Sequence, residues 1–376
     1  RAGADRIVAH VGARVLGDLA DRVGLVAGLS AALAPLKQRR RGHDRGQVVT
    51  QLAVAMADGA TTLSDLAVLR HQPDLFGAVA STATVWRTLT ALTAEPLTRI
   101  AAARAAARRR VWAAGVDPGF YVIDIDGTLV TAHSDKEGAA STSKRGYGFY
   151  PLVATLDATG EPLVALLRPG NAGSGTAADP IAVRDAALAQ LPIDPRAQPV
   201  IVRTDSAGFP MPFSTMAPTG TSGSSSAIPF RWRSRPPSSA TGGCGGNPLS
   251  RSTEPRSGTW GKWPRSPRKG SERVAPGSRL IVRRELPHRG AQLTFTDVHG
   301  YRYPLCLTNL PDADLPYLEA LYRGWGRCEQ TIRDLKATGL AHLPSADFAI
   351  NQAWLTAVLL AGDLLAWFRC HHVALT

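Results

Sequence analysis

Phe120-Tyr121-Val122-Ile123-Asp124-Ile125-Asp126-Gly127-Thr128 is apolar for most of its length, then closes on carboxylates and a glycine. A short apolar run bounded by a polar turn is the pattern of a buried strand. Two more apolar runs follow, Leu152–Leu156 and Pro162–Leu167, joined by the hairpin-like turn Asp157-Ala158-Thr159-Gly160, and together the three read as antiparallel strands. Asp179–Leu191 then reads as a helix and Pro199–Asp205 as a further strand that again ends on a carboxylate. Strands, helix and strand in succession make an α/β core.

Upstream, from about residue 5 to residue 112, apolar residues recur at three and four, as in Val8, Val11, Val15 and Leu19, which predicts several short helices. Ser64-Asp65 and Ser81-Thr82 are candidate N-caps, and Pro35, Pro73 and Pro96 punctuate the connections. Two basic clusters stand out, Lys37 to Arg41 (with Arg39, Arg40 and Arg41) and Arg104 with Arg108, Arg109 and Arg110. Each is either a set of phosphate contacts for DNA or a solvated helix end. Downstream, Tyr317–Thr338 and Asp347–Phe368 read as two helices, the second with Phe348, Trp354, Leu355, Val358, Leu359 and Leu365 on its apolar side.

Between these regions the composition changes. From Phe209 to Gly277 the chain is crowded with Ser, Pro, Gly, Arg and Trp, has no Asp, and holds only Glu254 and Glu272 as acids. No period of two or 3.6 is sustained, so a packed core is not expected. The stretch is either a disordered linker or a segment translated out of frame; Trp232, Trp260 and Trp263 favour the second. Ordered patterning resumes at Arg279–Arg284 and continues through Leu293–Asp297. The expected organisation is a helical region over 1–115, a first part of the α/β core over 116–208, an aberrant segment over 209–277, and the rest over 278–376.

The 376 residues carry a net charge of +13 and are 44% hydrophobic, which describes a basic globular protein and excludes wholesale disorder. Cys244, Cys306, Cys328 and Cys370 form no CxxC pair, so neither a disulfide framework nor a structural zinc site is expected, and a cytoplasmic setting fits. The sequence opens on Arg1 with no apolar run behind it, the pattern of a truncated start without a signal peptide. Asp363 interrupts the run Ala353–Phe368, which argues for a buried helix and against a membrane span.

Asp126 and Asp205 each close a strand just before a glycine-bearing turn. Exposed together at one sheet edge, two such carboxylates can share a hard cation such as Mg2+, although either could instead satisfy a local Asx-turn. Asp124 alternates onto the same face as Asp126 and competes for the role. Glu329 shares a helix face with Arg333 and Lys336 at i, i+4 and i+7. By itself that is an ordinary solvated face; with the two aspartates it suits two-metal phosphoryl transfer, with the cations holding DNA phosphates.

An ordered series of motifs resembles the bacterial insertion-sequence transposases with an RNase H-like DDE core, in particular their thirteen-eighty branch. The series comprises Gly59–Leu66, Asp124–Val130, Lys144–Leu152, Leu167–Asn171, Val202–Ser206 and the Tyr322–Lys336 segment. The resemblance implies an RNase H-like mixed sheet with flanking helices behind an all-helical N-terminal region. It also implies a metal-binding triad of Asp126, Asp205 and Glu329, with Mg2+ or Mn2+ as cofactor. The expected partners are DNA, as terminal inverted repeats and as target, and a second copy of the chain in a synaptic homodimer, with no membrane. The expected DNA-contacting residues are Tyr322, Arg327, Arg333 and Lys336, with Arg39, Arg40, Arg41, Arg108, Arg109 and Arg110. The triad gaps are 79 and 124 residues, and the second holds the aberrant stretch where relatives carry a β-rich insertion. The branch signature reads Tyr, Arg, Glu, Lys; here Tyr322, Glu329 and Lys336 match and Trp325 stands at the Arg position, removing a bidentate phosphate contact. A decayed transposase is therefore expected, with a catalytically dead DNA-binding derivative and an RNase H-like nuclease as alternatives.

Overall fold

The computed structural model describes residues 10–37, 42–132, 135–142, 146–172, 178–204, 226–229, 259–262, 279–287, 290, 299–310 and 313–374. Asp205, Arg39–Arg41, Lys144-Arg145, Leu293–Asp297 and most of 209–277 lie outside that set.

Among the described residues the N-terminal third is helical: α1 (Val11–Arg22), α2 (Leu25–Leu33), α3 (Arg45–Ala57), α4 (Ala67–Arg70), α5 (Pro73–Phe76), α6 (Thr82–Thr90) and α7 (Ala94–Val111). The caps are local. Asp44 accepts the Gln47 amide at 2.9 Å to start α3, and Ser81 accepts the Thr84 amide to start α6, as expected of short polar N-caps. At the third site the cap is Thr62 in place of Ser64, closing a capping box with Asp65.

The main sheet is built from β1 (Tyr121–Gly127), β5 (Leu152–Leu156), β6 (Glu161–Leu166), β7 (Val200–Thr204) and β8 (Ser226–Pro229), in the order β6-β5-β1-β7-β8. β6, β5 and β1 are antiparallel neighbours, as the sequence predicts, whereas β7 runs parallel to β1 and β8 parallel to β7. The β1–β7 connection passes through α8 (Ala178–Leu188), the helical crossover that parallel neighbours need. The turn expected after β1 instead holds a small sheet of β2 (Val130–Thr131), β3 (Ala140–Ser141) and β4 (Tyr147–Phe149). A third sheet joins β9 (Thr259–Lys262), β10 (Arg279–Arg284) and β11 (Leu305–Thr308). β8 and β9 both fall inside the compositionally aberrant stretch, so parts of it pair as strands where none was expected.

The long helix expected over Tyr317–Thr338 is in fact two helices, α9 (Leu315–Gly324) and α10 (Gly326–Leu335), parted at Trp325 and followed by a wide turn over Lys336–Leu340. Glycine on both sides of Trp325 supplies the weak point. The last helix, α11 (Phe348–Ala374), is long and apolar enough to cross a bilayer, but its side chains are spent inside the protein. Trp354, Leu355, Val358, Leu364 and Trp367 are buried against α3, β6 and the turn after α10, and each large apolar group so enclosed contributes roughly 1.5–3 kcal/mol.

One continuous core runs from Leu25, Leu52 and Ile100 of the helical third to Ile123 and Ile125 of β1 and Trp354 of α11. A second cluster lies against Val122 of β1 and Ile201 of β7, where Ile281, Cys306, Leu318 and Leu321 bring β10, β11 and α9 onto the sheet. The alternation along β1 separates them: Tyr121, Ile123 and Ile125 join the first core and Val122 the second.

Candidate active site

Asp124 and Asp126 follow Val122 at intervals of two, so they project from the α9 side of β1. Asp124 is fully buried, and Arg203 of β7, its register partner, grips it through Nε to Oδ1 at 2.5 Å and Nη2 to Oδ2 at 2.6 Å. Burial pushes its carboxyl up to about 7, against the pull of Arg203. Asp124, expected to compete with Asp126 for a metal, thus has both oxygens on a guanidinium in a closed space. Asp126, one pleat further on, is half-buried, and its Oδ1 accepts the Gly127 amide at 2.7 Å. A Cβ at Gly127 would sit 2.4 Å from the Tyr150 ring, so the glycine lets Tyr150 close over the strand end.

Glu329 is exposed on α10. The preceding residue, Cys328, is buried and lies 3.8 Å from the Thr155 hydroxyl, on the residue of β5 that pairs with Asp124. Burial, then the charges of Asp124 and Asp126, push the Cys328 thiol up. Asp205 lies outside the described residues; it directly follows Thr204, which pairs with Ile125, the residue before Asp126. Among the described residues no three His, Cys, Asp or Glu side chains are grouped as a metal ion would need. In chemistry, the two described carboxylates fit: both are hard oxygen donors with access to solvent, the donor type that Mg2+ and Mn2+ take.

The expected DNA contacts divide. Arg333 is exposed, with Nη1 on Gln330 at 2.8 Å, and Lys336 is half-buried in the turn after α10. Tyr322 is half-buried beside the second core cluster with Arg283 6.0 Å from its ring, and burial raises its hydroxyl to about 12. Arg327 is exposed, with Nε and Nη2 on Asp157 at 2.8 and 2.5 Å. Arg109 and Arg110 are exposed, although Arg110 also donates to the Val23 carbonyl at 3.0 Å.

Arg108 lies furthest from the expected solvent-facing contact. It is fully buried, with Nε on Glu161 at 2.8 Å and Nη2 on Asp363 at 2.7 Å, and Arg104 reaches the other oxygen of Asp363 at 2.7 Å. Burial lowers the Arg104 guanidinium, whereas around Arg108 the two carboxylates overcome burial and raise it. Glu161 also takes the indole N–H of Trp367 at 2.6 Å and of Trp112 at 3.2 Å. No face of Arg108 is left for DNA. The signal was in the sequence: Arg104 and Arg108 stand at i, i+4 on the stripe of α7 that also carries Ile100, Ala107 and Val111, whereas Arg109 and Arg110 point away from it. Asp363, the lone carboxylate in an apolar helix, asked for such a partner.

Residues 2–217 and 275–376 match the family described as Transposase DDE domain group 1. The chain belongs to the DDE transposases. Domains of this family cleave and transfer DNA using divalent metal ions. No curated protein matches the sequence. Among solved structures, a piggyBac transposase synaptic complex with hairpin DNA is similar at 10% identity over 98% of this chain and 76% of that one, with a TM-score of 0.46.

Proposed function

We propose that this DDE transposase mobilises a bacterial insertion sequence of the thirteen-eighty branch, and that Asp126, Asp205 and Glu329 are the residues that hold its metal ions. The observation that carries the reading is the partly open carboxylate of Asp126 at the end of the central strand, on the sheet face against which α10 packs through Cys328, the residue before Glu329. Thr204, the residue before Asp205 in the sequence, pairs with Ile125, one residue short of Asp126. A strand order with three antiparallel strands followed by two parallel ones accords with an RNase H-like core. Mg2+ or Mn2+ bound there would stabilise the attacking and leaving oxygens of an in-line displacement at phosphorus. The protein's own part is to hold the scissile phosphate with Arg333 and Lys336 and to orient first water and then the freed 3′-hydroxyl, whose attack on target DNA expels a target 3′-oxygen. A homodimer bridging two element ends, acting in the cytoplasm away from any membrane, is the assembly this chemistry calls for.

We further infer that this copy is impaired. Trp325 stands where the branch has Arg, and the family match breaks after residue 217 and resumes at 275, bracketing the compositionally aberrant stretch. Trp325 also favours a second reading, a protein that still occupies its inverted repeats without cutting them. An RNase H-like nuclease ranks below both, because it leaves the helical third without a purpose.

A supercoiled-plasmid assay with Mg2+ or Mn2+, on DNA carrying the element's ends, tests these readings. It compares the chain as it stands, its Asp205→Ala variant, and a chain with the middle reading frame restored and Trp325→Arg. The expected result is cleavage by the repaired protein only. Cleavage by the unrepaired chain that Asp205→Ala abolishes overturns the impairment; silence from all three, with salt-dependent binding to the ends, favours the DNA-binding reading.

A further inference from the structure

Glu329 rides on a helix whose attachment to the sheet is unusual. α9 and α10 are parted at Trp325, where the backbone is carried by Trp325 N–H to Tyr322 at 3.2 Å and Cys328 N–H to Trp325 at 3.0 Å. Such short i to i+3 bonds leave a joint that can bend. Across that joint runs a chain of charges. Asp124 of β1 binds Arg203 of β7, and Arg203 donates Nη2 to Asp157 of the β5–β6 turn at 2.8 Å and Nη1 to the Leu321 carbonyl of α9 at 2.5 Å. Asp157 in turn takes Nε and Nη2 of Arg327 on α10. Two strands, one turn and both helices are thus linked by bidentate or doubly shared contacts. Gly324 is shaped to this arrangement: a Cβ there would lie 2.3 Å from Arg203 Nη1 and 2.9 Å from Arg327 Nη2.

We propose that Arg327, acting through Asp157 and Arg203, is a positioning residue that sets the rotation of α10 and so aims Glu329 at the strand end bearing Asp126. The inference rests on the reading of Asp126 and Glu329 as metal-holding residues. Arg327 and Glu329 are two residues apart, about 200° around the helix, so Arg327 acts by turning the helix and does not touch what Glu329 holds. The Arg327 end of the pair is exposed and Asp157 keeps Arg203 when Arg327 is lost, so the pair by itself stabilises the fold little; its geometry, two parallel N–H bonds to one carboxylate, is what fixes orientation.

The test is Mn2+ binding to the full chain without DNA, followed by electron paramagnetic resonance of the free ion. Arg327→Ala is expected to weaken binding about tenfold, the scale of residues that orient metal ligands from behind, and Arg327→Lys to fall between it and the parent, since Lys keeps the charge and loses the fork. Arg323→Ala, which breaks the pair of another exposed arginine with Glu319 on α9, is expected to leave affinity unchanged. Because no DNA is present, a loss with Arg327→Ala cannot come from a lost phosphate contact. Weakening by Glu329→Gln and Asp126→Asn but not by Arg327→Ala overturns the positioning role and leaves the site standing. Equal affinity in all variants, or none in the parent, overturns the site reading and the inference with it; equal weakening by Arg323→Ala reduces the effect to general damage and overturns the inference alone.

Discussion

Two networks in this protein have the same composition, two arginines and two carboxylates, and opposite characters. Where α7, β6 and α11 meet, the side chains of Arg104, Arg108, Glu161 and Asp363 are 3%, 0%, 0% and 0% exposed. Where β1 and β7 meet α9 and α10, exposure rises from 0% at Asp124 through 4% at Arg203 and 7% at Asp157 to 64% at Arg327. The first is closed: its charges answer one another and backbone carbonyls inside the core, so it can only hold elements together. The second is open at one end, so the same chemistry ties a buried strand to the exposed helix that carries Glu329. Depth, and not residue type, separates the two.

The sharpest way to break the comparison is at Asp363. Asp363→Ala leaves Arg104 without its only carboxylate and Arg108 with Glu161 alone, and is expected to lower unfolding free energy by about 3–5 kcal/mol, as uncompensated buried charges do; a loss below about 1 kcal/mol in chemical denaturation would show that the network is not closed. Gly324→Ala strikes the open network from inside, forcing the Arg203 and Arg327 guanidiniums aside, with an expected cost of about 1–3 kcal/mol of stability. A neutral result there would mean that the ladder accommodates a methyl group without strain. Arg327→Ala is expected to cost under about 1 kcal/mol in the same measurement, although it weakens Mn2+ binding. A larger stability loss would make the outer network as structural as the inner one.

Much of the architecture was legible in the residues. Tyr121–Asp126 announced a buried strand because its apolar run ended on carboxylates and glycine, and the Asp157–Gly160 turn announced a hairpin; both form where expected. The N-terminal helices followed from the three-four spacing. What misled was local chemistry read without depth. Arg104 and Arg108–Arg110 looked like one basic cluster, yet Arg104 and Arg108 are buried in the core while Arg109 and Arg110 are exposed. Asp124 and Asp126 looked equivalent, yet one is sealed by Arg203 from a strand 79 residues away. The break at Trp325 was foreshadowed by Gly324 and Gly326, but periodicity carried the eye across it.

By itself, then, the sequence determined that the middle of the chain opens with antiparallel strands and that both ends are helical, because these follow from short-range periodicity and from where turn residues interrupt it. Only the tertiary structure decided which charges are spent. An arginine is a DNA contact or a core strut according to whether a carboxylate far along the chain reaches it out of water, and the cost of leaving a buried charge unpaired makes that choice all but absolute.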